Sequence, residues 1–534
     1  MLILGVCALV LAILLQMPQA LRWASPLYLG VSVRLSTDEE AYLARVEEGL
    51  TGRPELAAEA IIGDENLAGT QAALIEETIG RLFSWTEWRA ATVLQVIDSV
   101  VPPLLLLTLW IFFVLSGLTR IQALIGAGLF CVLHLSGLNR PIHQGASTLL
   151  TVTALIGILL GLEYRRWLGV LGGILLGILT GVYFWSWTYA WAWIGVLMIW
   201  LLTEQFFLKE DRAAALKRLV TFIFIGVVTA APFLWMQWRL AGTPLYALAF
   251  FRSGVRFGHA PESLIYSSLF LLMMAGVLGA VLTQPELRRR YRLIAVTAVA
   301  GFLLINQQMV HGVIFNFVSH YIFLLCAGAF MALLMSVRLP SKWLVLSLLG
   351  SVVYLSAIVS DNVRPFVSLF SVTPSNFAEQ HFATALPVLD ALPRTTILSD
   401  PATEMFIAGA SRHDVVFSTY LKNALLSHDE LAWRLCMTLE PLPPPERGID
   451  QRQHLIYPDA VVAFKDPVVR SREVELVTAA CAQVDSDPER WLRRFHVEYV
   501  LWDERRQTQW DLNRLGVPRQ IVAKGDGWSL WKFQ

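Results

Sequence analysis

Three carboxylates stand in a row at Asp38, Glu39 and Glu40, within Ser36-Thr37-Asp38-Glu39-Glu40-Ala41-Tyr42-Leu43-Ala44-Arg45. A placed carboxylate can take a proton from an attacking hydroxyl, and neighbouring carboxylates can share a divalent cation. The same residues also have a structural reading. Ser36 with Glu39, and Thr37 with Glu40, fit the capping box, and acids in a first helical turn suit the helix dipole. Capping accounts for Glu39 and Glu40 and leaves Asp38 unexplained. Arg45, seven residues after Asp38, falls on the same face of the predicted helix, where it could orient the acid or pair with it.

Three further stretches carry side chains able to meet negative charge or bind a polar ligand. The first is Asn139-Arg140-Pro141-Ile142-His143-Gln144. The second, 239–262, places Arg252, Arg256 and His259 among aromatics. The third is Asn306-Gln307-Gln308-Met309-Val310-His311-Gly312, followed by Asn316, Ser319, His320 and Tyr321. Such groups between apolar segments are costly unless they face a cavity or one another. The run from Tyr183 to Trp193 reads as an interfacial aromatic belt, or as a platform on which a sugar ring stacks. The chain has no Gly-rich phosphate loop, CxxC or HExxH.

These residues must be held by a membrane protein. The 534 residues are 55% hydrophobic and only 16% charged, with 19 Trp and 28 Phe, against roughly a quarter charged in soluble domains. Formal net charge is zero, which gives no case for a nucleic-acid partner. Apolar segments near 2–20, 92–117, 119–137, 146–163, 167–184, 187–207, 219–238, 263–283, 292–305, 318–336 and 342–360 predict about eleven transmembrane helices. The first lacks a basic leader and a clear cleavage site, so it reads as a retained helix rather than a signal peptide. With the N-terminus inside, the inner loops hold thirteen Lys and Arg and the short outer loops four, which favours that orientation. The acidic stretch, the three polar turns and everything after Asp361 then lie on the outer face.

The outer loop 21–91 predicts one helix over Ser36–Leu50, ended by Gly49, Gly52 and Pro54, and a second from Leu67 to Phe83. On the second, Leu74, Ile75, Ile79, Leu82 and Phe83 share a face. It either lies flat in the membrane interface or packs on a soluble subdomain. After residue 361, strands at 395–398, 414–417, 460–464, 497–502 and 521–533 alternate with helices at 376–392, 428–439, 472–483 and 488–495. That pattern predicts an α/β domain over 361–534. Cys7, Cys131 and Cys326 read as small core residues, and Cys436 and Cys481 as either a pair or two buried thiols.

One apolar span, an outer loop opening on adjacent acids, many further spans and an outer tail together resemble the GT-C class of membrane glycosyltransferases. The resemblance covers about residues 1–360. Asp38-Glu39 matches the acidic pair of the first outer loop, and Asp-Glu-Glu-Ala-Tyr-Leu-Ala-Arg resembles the openings of bacterial GT-C-like proteins. Asn306-Gln307-Gln308, His311-Gly312 and Ser319-His320-Tyr321 resemble a later loop, with His311 where a small hydroxylated residue is expected. The resemblance implies a GT-C-like membrane domain over 1–360 and a polyprenyl-phosphate-linked sugar as donor. It also implies a lipid, glycan or protein acceptor and inversion at the anomeric carbon. Asp38 would be the base, and Glu39 a second catalytic carboxylate or, with Asp38, a ligand of Mg or Mn. Arg45, Arg140, His143, Tyr183, Arg252, Arg256, His259, Asn306, Gln307, His311, His320 and Tyr321 are the candidate substrate contacts. Two other classes fit the composition: a transporter or lipid flippase, and a non-catalytic scaffold whose tail binds a partner.

Overall fold

The computed structural model describes residues 2–33, 39–52, 74–134, 145–261, 264–315, 319–339, 341–449 and 467–534. By contacts the chain forms two compact units. One comprises Met1–Pro18, Val96–Met236 and Phe257–Ser371; the other comprises Gln19–Gln95, Gln237–Arg256 and Val372–Gln534. The polar first loop therefore groups with the tail.

Each of the eleven apolar segments is a helix: Leu2–Trp23, Ala90–Leu115, Arg120–His134, Ser147–Glu163, Arg166–Ile178, Phe184–Phe206, Ala213–Ala241, Leu264–Thr283, Pro285–Ile305, Ser319–Arg338 and Lys342–Leu369. Among the described residues, 6 helices are long and apolar enough to cross a membrane, and four shorter stretches are apolar. Pro285–Ile305 is in neither group. Its first turns carry Glu286, Arg288, Arg289, Arg290 and Arg292, which leaves a short apolar part.

Within the first unit, the basic loops expected on the inner face meet at one end. Arg212 Nε lies 2.6 Å from Glu204 Oε2, Arg292 Nη1 lies 3.9 Å from the same oxygen, and Arg292 Nη2 reaches Glu163 at 2.8 Å. Three loops predicted to share a side do share one. The aromatic run divides by helical periodicity. Trp185, Tyr189 and Trp193, four residues apart, are buried, while Trp187 and Trp191 are half-buried. Trp193 donates its indole N–H to Thr297 Oγ1 at 2.9 Å. Its inward stripe is thus core, and only the other face is free to act as a belt or platform.

In the second unit, β1 (Thr396–Leu398), β2 (Asp414–Val415), β3 (Val497–Asp503), β4 (Arg519–Gly525) and β5 (Trp528–Phe533) form one sheet in the order β2-β1-β3-β5-β4. The first two pairings are parallel and the last two antiparallel. The expected strand at 460–464 lies outside the described residues. The helix expected over 376–392 is instead two 3-10 turns, Pro374–Phe377 and Gln380–Thr384, and a short helix Leu386–Ala391. Pro387 can stand only in a first turn, so the helix restarts there. A helix the sequence reading missed, Pro401–Ala410, begins with Asp400 accepting from the amides of Ala402 and Thr403. Asp-Pro before an apolar run is a helix-start signal. Cys436 and Cys481 form a disulfide, with Cα atoms 5.0 Å apart.

Candidate functional site

Asp38 lies outside the described residues, as do Arg140 and His143 and the side chains of Arg256 and His320. What the structure places are the neighbours of Asp38. The acid helix runs from Glu39 to Leu50. Its Ala44, with Val31 just upstream, joins an apolar cluster made otherwise of tail residues, among them Phe382, Leu389, Ile397, Phe406, Val415, Leu501 and Trp528. The helix is seated in the tail's own core.

The second loop helix, Leu74–Phe83, packs on the acid helix, and it does so by its acidic side. Glu76, Glu77 and Gly80 are buried, whereas Leu82 is 65% exposed and Trp85, just beyond, 82%. Ile75 is buried beside these carboxylates, while Leu74, Ile79 and Phe83 are half-buried and Leu82 is exposed. Burial pushes the Glu77 carboxyl above its usual range, against the pull of Arg81. Glu76 is matched instead by Arg45. The two side chains are 2% and 0% exposed, with Arg45 Nη1 at 3.5 Å from Glu76 Oε1. Arg45 therefore serves a buried ion pair with the neighbouring helix.

Arg252 also differs from expectation. Its side chain is fully buried and grips one tail loop. Nε donates to the carbonyl of Lys422 at 3.0 Å, Nη1 to Leu426 at 2.8 Å and Nη2 to Ala424 at 2.5 Å. A planar fork placed on three carbonyls is a fastening for backbone, and it leaves the guanidinium no open edge toward a substrate.

In the first unit, two of the polar turns join. The amide of Gly258 donates to the Gly312 carbonyl at 2.9 Å, and His259 Nδ1 stands 3.2 Å from the Met309 carbonyl. Gly312 has φ +71, and a Cβ there would meet the His259 ring at 2.9 Å. That explains a glycine after His311. His311 Nδ1 accepts from the Val313 amide at 3.0 Å, which leaves Nε2 to face outward. Its ring meets Phe315 edge-on, and Phe315 in turn touches Phe184 and Trp185. Tyr321 is buried edge-on against Trp185, with its hydroxyl 2.6 Å from Thr188 Oγ1 and 3.5 Å from Gln307 Nε2. Tyr183, half-buried and extended, precedes the Phe184–Phe206 helix. Asn306 is a tie between helices: it accepts from Ser267 at 2.8 Å and donates to the Phe302 carbonyl at 3.0 Å.

Gln308 was missed as a site residue. It is 1% exposed, and neither atom of its amide has a hydrogen-bond partner among the described residues. An orphaned buried amide is the kind of group a bound polar ligand or ion would satisfy. Its signal in sequence was only its place beside Asn306 and Gln307. Among the described residues, no three His, Cys, Asp or Glu side chains come together to hold a metal ion. Glu39 is in electrostatic reach of Arg22.

No family model and no curated protein matches the sequence. Solved structures do match. The arabinofuranosyltransferase AftD from Mycobacteria aligns at TM-score 0.50 and 12% identity, covering 99% of this chain and 39% of AftD. The chain thus spans about two fifths of AftD's length. The Archaeoglobus fulgidus oligosaccharyltransferase in its apo form aligns at TM-score 0.48 and 13% identity, covering 99% of this chain and 74% of that one. ArnT from Cupriavidus metallidurans bound to undecaprenyl phosphate aligns at TM-score 0.37 and 12% identity, covering 99% and 97%. By its helices, its C-terminal sheet and its likeness to AftD, this chain has the fold of the GT-C membrane glycosyltransferases.

Proposed function

We propose that this protein is an integral membrane glycosyltransferase. It moves a sugar from a polyprenyl-phosphate-linked donor to a hydroxyl of a lipid, glycan or protein acceptor on the extracytoplasmic face. The observation that carries the reading is the place of Glu39, the residue after Asp38. In a chain of GT-C fold, it follows the first apolar helix in sequence and opens a helix seated in the core of the C-terminal domain.

In the reaction, the acceptor oxygen forms a bond to the anomeric carbon while the bond from that carbon to the lipid-phosphate oxygen breaks. The acceptor proton passes to Asp38. The electron pair leaves with the phosphate, and the configuration inverts. A base so placed contributes roughly 10²–10⁴-fold. Negative charge grows on the phosphate oxygen as that bond breaks, and it must be met by a cation or a hydrogen-bond donor. A divalent metal held by Asp38 and Glu39 would supply further charge neutralisation.

Two observations support the outer placement of this chemistry. Lys and Arg crowd the loops assigned inside, thirteen against four. The Cys436–Cys481 disulfide suits an oxidising compartment. The scaffold reading is favoured by one observation: Arg45 and Arg252 both hold backbone or helices together. Transfer assays on purified protein with polyprenyl-phosphate sugars test the choice. Product formation that depends on Asp38 supports the enzyme, and no product with any such donor supports the scaffold.

A further inference from the structure

The tail's role is open on the reading above, and the second unit answers it. Gln380 opens the 3-10 turn Gln380–Thr384 of the tail and is buried. Its side-chain amide binds the backbone of the first loop in the way a neighbouring strand would. Oε1 accepts from the Leu29 amide at 2.7 Å and from the Val31 amide at 3.2 Å, and Nε2 donates to the Val31 carbonyl at 2.7 Å. Three bonds from one side chain fix two residues of chain that would otherwise be an unpaired loop.

The turn carrying Gln380 is itself fixed to the sheet. His381 Nε2 lies 3.3 Å from Asp503 Oδ1 at the end of β3, and His381 Nδ1 lies 2.9 Å from the Ala378 carbonyl. Phe382 stacks on Phe406 with centroids 5.0 Å apart. Phe406 belongs to the Pro401–Ala410 helix, which packs on the acid helix. Val31, held by Gln380, and Ala44 of the Glu39–Leu50 helix thus join the same apolar cluster of the tail.

We infer that Gln380 is a positioning residue: through Leu29 and Val31 it fixes the segment that precedes the Glu39–Leu50 helix of the first loop. The inference rests on the glycosyltransferase reading for its effect on rate, and on geometry alone for the clamp.

The test uses full-length protein in detergent with Gln380→Met, which keeps the volume and removes all three bonds. In hydrogen–deuterium exchange, the amides of Leu29 and Val31 should exchange about tenfold faster or more, while those of β3 and β5 keep their protection. Sugar transfer should fall about 10²-fold in kcat with KM unchanged, the cost of misplacing a catalytic group by about an ångström. Gln380→Glu keeps an oxygen to accept from both amides and puts a second oxygen where Nε2 donated, so it should fall between wild type and Met in both readouts. It also serves if the Met variant folds poorly. Unchanged exchange at Leu29 and Val31 would overturn the clamp. Faster exchange with undiminished kcat would overturn the positioning role. If the wild type transfers no sugar, the glycosyltransferase reading fails, and the exchange data still decide whether Gln380 holds the loop.

Discussion

Gly80 meets Gly49 so closely that a Cβ on Gly80 would lie 2.7 Å from the Gly49 Cα and 2.5 Å from the Val46 carbonyl oxygen. Both contacts are to backbone, which cannot swing aside. The two helices of the first loop touch there with no side chain between them. Gly80→Ala should force them apart and destabilise the protein by about 1–3 kcal/mol. A thermal melt of the purified protein reads this as a lower midpoint. Gly195→Ala, where a Cβ meets nothing within 4 Å, is the control and should leave the midpoint in place.

The Arg45–Glu76 pair crosses the same helix contact. Removing one partner of a buried pair leaves the other charged and unmatched, which costs about 3–5 kcal/mol. Arg45→Met should therefore destabilise strongly. The double variant Arg45→Met, Glu76→Leu removes both charges and should recover much of the loss. Denaturation of both variants checks this; equal instability of single and double would show that Arg45 acts through packing alone.

Cys436 and Cys481 join helices His428–Leu439 and Pro467–Ser486 across 45 residues of chain. Loss of such a cross-link costs about 2–5 kcal/mol. Cys481→Ser, or reduction before the melt, should lower the midpoint of the second unit. Free-thiol counting under denaturing conditions should find the pair oxidised in protein made with this unit in an oxidising compartment.

The parts legible in sequence were those set by local pattern. Long apolar runs marked all eleven helices, though Pro285–Ile305 and Lys342–Leu369 reach well beyond their runs, and apolar stretches such as Val497–Asp503 gave strands. Asp400-Pro401 was a readable helix start that went unused. Other features depended on partners far along the chain. Nothing near Gln380 signals that it binds residue 29, and nothing near Arg252 says that three carbonyls at 422–426 await it. For Leu74–Phe83 the pattern left two readings, flat in the membrane interface or packed on a soluble subdomain; the helix packs on Glu39–Leu50 through Gly80, with Glu76 matched by Arg45. Arg45 and Arg252 drew attention as cations near the chemistry, and long-range packing gave them structural work.

The central claim rests on one carboxylate, and one assay reaches it most directly. Purified protein is given a polyprenyl-phosphate-linked sugar and an acceptor, and initial rates are compared with those of Asp38→Asn. The account predicts transfer by the wild type and a loss of about 10²–10⁴-fold in the variant, with the protein still folded by its melt. Transfer by Asp38→Asn at the wild-type rate would contradict it.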